Sequence, residues 1–383
     1  MEEILQPSIV VLFTISGAYL GLTLGIMLLF LKSRQNKSNV FLGIFVLLFS
    51  LYLWPATLYR INLLKTFPHI IRANSLNAFL VGPLMWLYIR SSTEKDFKFT
   101  PVLWLHFVPF LMDLTYQIPI FALSGEEKLR FFFDIVNRGE INEPKWLLLL
   151  KVLHAAIYCV LAVRLVFLYK KNVVNNASYI DAALHRWLLL FSCSLLFPIV
   201  TLIVLTFSGL TIVPITFVAL AVFFFINSIY FATFLKPSVF RKFPHQIVIT
   251  SKQETAKQKY ENSTLQDAQK DKLAEKIVAY VESEKPYQES ELTLPDLADQ
   301  VKIQPHYLSQ IINQQLNCTF LDFINGYRVE AAKKMLRSDD YDHYTILAIA
   351  YEAGFNSKTA FYSAFKKNVG TTPSGYRKSA VVT

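Results

Sequence analysis

Seven stretches in the first 235 residues are apolar and long enough to cross a bilayer, and nothing else in the chain constrains it as much. A helix needs about 20 residues for the crossing. The stretches lie near 8–31, 39–60, 73–91, 101–122, 146–169, 185–207 and 211–235. In hydrocarbon a backbone N–H or C=O has no water to bond, so continuous runs of this length are expected to be helical. The third and fourth are the least regular, interrupted by Gly82-Pro83 and by Pro109 and Pro119. Such breaks are tolerated when neighbouring groups satisfy the freed carbonyls. The composition agrees, with 53% hydrophobic and 17% charged residues and 32 Phe, an apolar balance foreign to most soluble domains. The opening MEEILQPS is acidic and the first run is too long for a signal h-region, so no cleavable signal is expected.

Charge placement orients these spans. Lys32, Arg34 and Lys37 follow the first; Arg90, Lys95 and Lys98 the third; Lys170, Lys171 and Arg186 the fifth; Lys236, Arg241 and Lys242 the seventh. The alternate loops are neutral at 208–211 or mixed at 123–145, with 61–72 as the exception through Lys65 and Arg72. The expected topology puts the N-terminus outside and the C-terminus in the cytoplasm, at the inner membrane. The net charge of +10 resides entirely in residues 1–271, and residues 272–383 are neutral overall. Within that tail, 272–340 carries −3 and 341–383 carries +3. Attraction to phosphate is therefore expected mainly from the last forty residues.

An ionisable side chain inside a span is costly unless paired or hydrated, so each is a candidate site. Asp113, Lys151 and His154 fall at similar depth in the outer halves of spans four and five, with His106 and Asn77 nearby. An Asp113–Lys151 pair facing an outward cavity would suit a small polar signal molecule. It also suits a structural ion pair, or a Lys151 that snorkels with no ligand. Cys159, Cys193 and Cys318 have no metal or disulfide spacing. The sequence has no H-E-x-x-H, G-x-S-x-G or Walker lysine loop. No catalytic residue, metal or cofactor is expected.

Residues 236–271 change character. After Pro237 and Pro244 the polar, mixed-charge SKQETAKQKYENSTLQDAQKD reads as a tether. From 272 the pattern is helical with short turns. Leu273, Ile277, Val278 and Val281 share a face before Pro286. Thr293 and Asp296 form a T-x-x-D capping box over a helix burying Leu294, Leu297, Ala298 and Val301. Pro305 opens a second helix that buries Leu308, Ile311 and Ile312. Its other face offers His306, Tyr307, Ser309 and Gln310. A long helix, 320–336, leads to a repeat of the plan. Ile346, Leu347, Ile349 and Ala350 pack one helix, Gly354 makes the turn, and Asn356 is placed to cap a helix burying Phe361 and Phe365. Ser357, Lys358, Thr359, Tyr362 and Ser363 are expected outward, with Lys366 and Lys367 at the end before Gly370 and Pro373. Two short helices with a polar second one suit entry into a major groove.

Residues 272–379 resemble the AraC/XylS-type transcription regulators, most specifically in IAYEAGFNSKTAFYSAFKKNVGTTPSGYRK. The apolar half looks like the N-terminal region of a membrane-bound branch of that family. The resemblance implies two helix-turn-helix units joined by one long helix, with double-stranded promoter DNA and RNA polymerase as partners and homodimers as an assembly. It implies that His306, Tyr307, Ser309 and Gln310, then Ser357, Lys358, Thr359, Tyr362 and Ser363, face the groove. Arg328, Lys366 and Lys367 would lie near phosphates or brace the fold. The chain departs from the family with Lys302 where a turn glycine is usual and Gln304 where a hydroxyl cap is usual.

The expected fold is all-α: a seven-helix transmembrane bundle over 1–235, a linker over 236–271, and a tandem helix-turn-helix domain over 272–383. The expected function is a membrane-tethered transcription regulator that senses a signal through its lipid-embedded spans. A transporter or receptor carrying a regulatory or protein-docking tail is the alternative.

Overall fold

The computed structural model describes residues 9–30, 38–94, 97–138, 143–179, 182–196, 199–200, 203, 220–230 and 267–381. Their regular elements are helices, and no β-sheet occurs among them. The chain divides into two compact units. One comprises Met1–Phe167 with Ala183–Gln246, the other Leu168–Ala182 with Ile247–Thr383.

In the first unit, α1 (Ile9–Phe30) packs along α2 (Ser38–Arg60). Gly21 and Gly25 permit this close approach. A Cβ on Gly25 would lie 2.6 Å from the Leu47 side chain, and one on Gly21 would lie 2.9 Å from Ser50 Cβ. Small residues one turn apart are how apolar helices come close without a hydrophobic driving force. The Ser50 hydroxyl donates to the Ala18 carbonyl at 2.6 Å across the seam. Next come α3 (Ala78–Thr93), α4 (Val108–Phe121), α5 (Gly125–Arg138), the 32-residue α6 (Lys145–Asn176), whose residues from Leu168 on belong to the second unit, α7 (Ala182–Ser194) and α8 (Leu220–Tyr230).

The expectation of seven spanning helices is not met. Among the described residues three helices have the length and hydropathy to cross a membrane: Val11–Phe30, Ser38–Tyr59 and Lys145–Asn176. A fourth appears only if Pro101–Phe121 and Gly125–Ile135 count together, and these are bent by 106°. The stretch at 73–91 fails because its first residues form a 3-10 turn, Ala73–Asn77, leaving 16 residues of α3. At 1.5 Å per residue that is about 24 Å, short of the ~30 Å hydrocarbon core. The stretch at 101–122 likewise starts as 3-10 helix at Pro101–Phe107 and leaves 14 residues of α4. Those at 185–207 and 211–235 fall partly outside the described residues. So does 236–266 of the expected linker, whose last five residues are already helical in α9 (Asp267–Glu284).

The second unit contains α9, α10 (Leu294–Val301), α11 (Pro305–Gln314), α12 (Phe320–Leu336), α13 (Ile346–Glu352), α14 (Lys358–Val369) and α15 (Pro373–Val381). It has two apolar cores. One gathers Ile277, Val281, Leu297, Val301, Leu308 and Ile311; the other gathers Ile349, Ala350, Phe355, Phe361 and Phe365. Helix α12 supplies both, giving Phe320, Phe323 and Ile324 to the first and Val329, Ala332 and Leu336 to the second. Each triplet follows helical spacing on its own face, so one helix seals two cores.

Candidate nucleic-acid interface

Each core supports a pair of short helices. In the first pair, Thr293 caps α10: its hydroxyl accepts from the Asp296 N–H, and the Asp296 carboxylate accepts from the Thr293 N–H at 2.9 Å. The turn to α11 uses Lys302 in the left-handed region at φ +60. That position ordinarily favours glycine, and a side chain there is strained by roughly 1 kcal/mol. Gln304 precedes α11 and makes no side-chain cap, which leaves Pro305 to start the helix. Both departures noted in the sequence are therefore present in the backbone.

In the second pair Thr345 caps α13 through the Ala348 N–H at 3.1 Å. Gly354 makes the turn at φ +93, and Gly370 ends α14 at φ +80. The cap of α14 is Ser357, whose hydroxyl accepts from the Ala360 N–H at 3.3 Å, and not Asn356 as expected. Ser357 has the extended backbone of a cap residue, and its short side chain reaches the amide three residues on.

The outward faces carry most of the expected DNA-facing residues. On α11, His306 is exposed, and Tyr307 and Ser309 are half-buried. The His306 and Tyr307 rings lie 3.9 Å apart. On α14, Lys358, Thr359, Ser363, Lys366 and Lys367 are exposed, and Ser357 and Tyr362 are half-buried. Lys358 Nζ sits 5.5 Å from the Tyr362 ring centre. Lys367 pairs with Asp322 of α12 at 2.5 Å.

Gln310, expected on the first face, is not there, and Arg328, expected near phosphates or as a brace, lies inside the domain. Gln310 is 5% exposed and donates to Gln314 Oε1 at 3.1 Å. Arg328 is 1% exposed. Its Nε donates to Tyr287 O at 2.7 Å, Nη1 to Ser178 O at 2.8 Å, and Nη2 to Glu289 O at 2.7 Å and Ser178 Oγ at 3.0 Å. Burial lowers its pKa to about 10, so it stays charged at neutral pH. A guanidinium whose donors are committed to buried oxygens has none for phosphate, so Arg328 braces the domain. Arg377, unflagged by the sequence reading, does similar work. It donates to Tyr344 O and Tyr341 O at 2.7 Å and to Asp342 O at 2.9 Å, tying α15 to the loop between α12 and α13. Its local signal is a basic residue beside the aromatic Tyr376.

Residues 297–379 match the family of helix-turn-helix domains. Residues in this part of the chain are similar to regulators of transcription. They are 37% identical to the melibiose operon regulatory protein of Escherichia coli over 87 residues, 23% of this chain and 28% of that protein. The identity is 31% over 112 residues with an uncharacterized helix-turn-helix transcriptional regulator, YtdP, of Bacillus subtilis, covering 29% and 14%. It is 26% over 108 residues with the regulatory protein PocR of Salmonella typhimurium, covering 28% and 34%. The chain thus spans about a third or less of the length of these relatives. A protein of unknown function from Listeria innocua, 30% identical, matches 27% of this chain and 91% of its own with a TM-score of 0.23.

The sensor candidates lie in the first unit. Lys151 Nζ donates to both Glu143 carboxylate oxygens at 2.8 Å and lies 3.5 Å from Asp113 Oδ1. Arg72 donates to Glu143 at 3.2 Å, and Gln117 to Asp113 Oδ2 at 2.8 Å. The expected Asp113–Lys151 pair is therefore the looser half of a four-charge cluster completed by Glu143 and Arg72, both assigned to loops in the sequence. His154 is one turn along α6, ring to ring with Phe79 at 5.0 Å and Tyr158 at 4.8 Å, and neither ring nitrogen has a hydrogen-bond partner. Among the described residues no group of His, Cys, Asp and Glu is arranged to hold a metal.

Proposed function

We propose that this chain is a membrane-tethered, sequence-reading regulator of transcription. The observation that carries the proposal is the pair α11 and α14. Each is the second helix of a complete two-helix unit, each has a polar outward face, and one shared helix fixes both. Phosphate contacts position such a protein and base contacts specify its site. Here Lys358, Lys366 and Lys367 are suited to the first role, and His306, Ser309, Thr359 and Ser363 to the second. The relatives named above are regulators, which supports the same reading.

Tethering rests on α1, α2 and α6. On α6 large apolar side chains, among them Leu149, Leu153, Ile157 and Val160, are left exposed, a surface that water disfavours and lipid accepts. The charge distribution favours a cytoplasmic C-terminal domain at the inner membrane. The Asp113–Lys151–Glu143–Arg72 cluster, with His154 beside it, is the candidate place for a signal molecule. RNA polymerase and a second copy of the chain are the further partners this reading calls for. The test is to prepare membranes from cells producing the chain and challenge them with fragmented genomic DNA. Retention of a shared sequence, lost when His306→Ala and Ser363→Ala are combined, is expected; chain found only in the soluble fraction, or membranes retaining no DNA above a chain-free control, would overturn the proposal.

A further inference from the structure

A short segment far upstream in sequence completes the C-terminal unit. Directly after α6, Ala177 forms an isolated antiparallel bridge with Thr293, the cap of α10. The Ser178 N–H donates to Leu292 O at 3.1 Å. Ser178 O and Oγ each accept from Arg328 on α12. Ala177 is 2% exposed and Ser178 1% exposed. Three hydrogen-bonding groups of Ser178 thus meet the start of the first helix pair and the helix that joins both pairs. Neither apolar core draws on residues 168–182, so the contact is a polar one added to those cores.

We infer that Ala177–Ser178 is a built-in clip through which α6 acts on the DNA-reading domain. Helix α6 runs unbroken from Lys145 to Asn176, about 48 Å at 1.5 Å per residue. It carries Lys151 and His154 near its beginning and the clip at its end. A continuous helix transmits a shift or rotation along its axis. At the clip the receiving groups are the cap of α10 and Arg328, which also holds Tyr287 O and Glu289 O. A displaced Ser178 leaves two Arg328 donors unpaired in a buried place, which forces the 287–293 turn to readjust. The inference rests on the proposed function only where it says what the clip regulates; the clip itself does not depend on DNA.

The experiment uses the full chain in lipid nanodiscs, unaltered and with Ser178→Trp, which cannot fit a 1%-exposed site. Hydrogen–deuterium exchange should find the Ser178 amide protected at least tenfold over an unpaired amide. In the variant that protection should vanish and exchange over 287–293 should rise, with 308–312 and 361–365 unchanged. Affinity for mixed genomic duplex fragments at low salt should then change threefold or more. A freely exchanging Ser178 amide in the unaltered chain, or a variant with unchanged exchange over 287–293, would overturn the clip. Unchanged affinity despite a lost clip would overturn its regulatory role. Ser178→Ala, which removes only the hydroxyl acceptor, should give the same changes in smaller degree should the tryptophan variant not fold. Failure of the unaltered chain to bind any DNA would instead defeat the proposed function, leaving the exchange result standing.

Discussion

Replacing Gly354 with alanine should unfold the C-terminal domain far more readily than the same change at Gly370, although both have positive φ. Gly354 stands at φ +93 and Gly370 at φ +80, so each alanine bears a conformational cost of about 1–2 kcal/mol. Their surroundings differ. A Cβ at Gly370 meets nothing within 4 Å, whereas one at Gly354 would lie 2.3 Å from Tyr287 O and 2.8 Å from Gln288 Cα. These are backbone atoms and cannot swing aside. Tyr287 O also accepts from Arg328 Nε at 2.7 Å, so moving it weakens a buried hydrogen bond to a charged group, worth about 1.5–3 kcal/mol. Gly354→Ala should therefore cost about 3–5 kcal/mol and Gly370→Ala about 1–2 kcal/mol, against a usual domain stability of about 5–15 kcal/mol. A fragment spanning Asp267–Thr383 contains both cores entire. Its urea midpoint, followed by circular dichroism, gives the comparison. Equal shifts for the two variants would refute the claim that Gly354 is required by a close approach rather than by φ alone.

Other substitutions probe the interface and its supports. Lys366→Gln should lower the slope of log affinity against log salt by about 1 while leaving sequence preference intact, measured by fluorescence anisotropy. Arg377→Ala removes three hydrogen bonds to carbonyls and should destabilise the same fragment by about 2–3 kcal/mol in urea titration. The Cys318 thiol is pushed up by burial and by Asp322, so it holds less thiolate than a free thiol near pH 8. Its alkylation by iodoacetamide in the folded fragment should lag the unfolded one and accelerate as pH rises beyond the ordinary thiol range of about 8.5.

The tail was largely legible because its signals are local. The Thr293–Asp296 box, Gly354, Gly370 and the apolar spacing of α10 to α14 each follow from a few adjacent residues. Where the reading missed a residue or left two roles open there, local sequence could not decide. Arg328 resembles any helix-surface arginine until Ser178, 150 residues earlier, is seen to take two of its donors. Gln310 lies at the margin of a helical face, where a small rotation separates exposed from buried. The apolar half was less legible. Hydropathy reports that residues 73–91 and 101–122 are apolar, but it cannot tell an α-helix from the 3-10 turns at Ala73–Asn77 and Pro101–Phe107, which shorten both. The loop residues Arg72 and Glu143 joined the Asp113–Lys151 cluster through folding that no spacing rule anticipates.

The affinity of the Asp267–Thr383 fragment for duplex DNA as a function of salt tests the central claim most directly. With Lys358, Lys366 and Lys367 exposed on α14, about three phosphates should be neutralised. Log affinity should then fall linearly with log salt, with a slope near −3. Absence of binding at about 50 mM salt, where phosphate attraction is strong, or a slope near zero, would contradict the account.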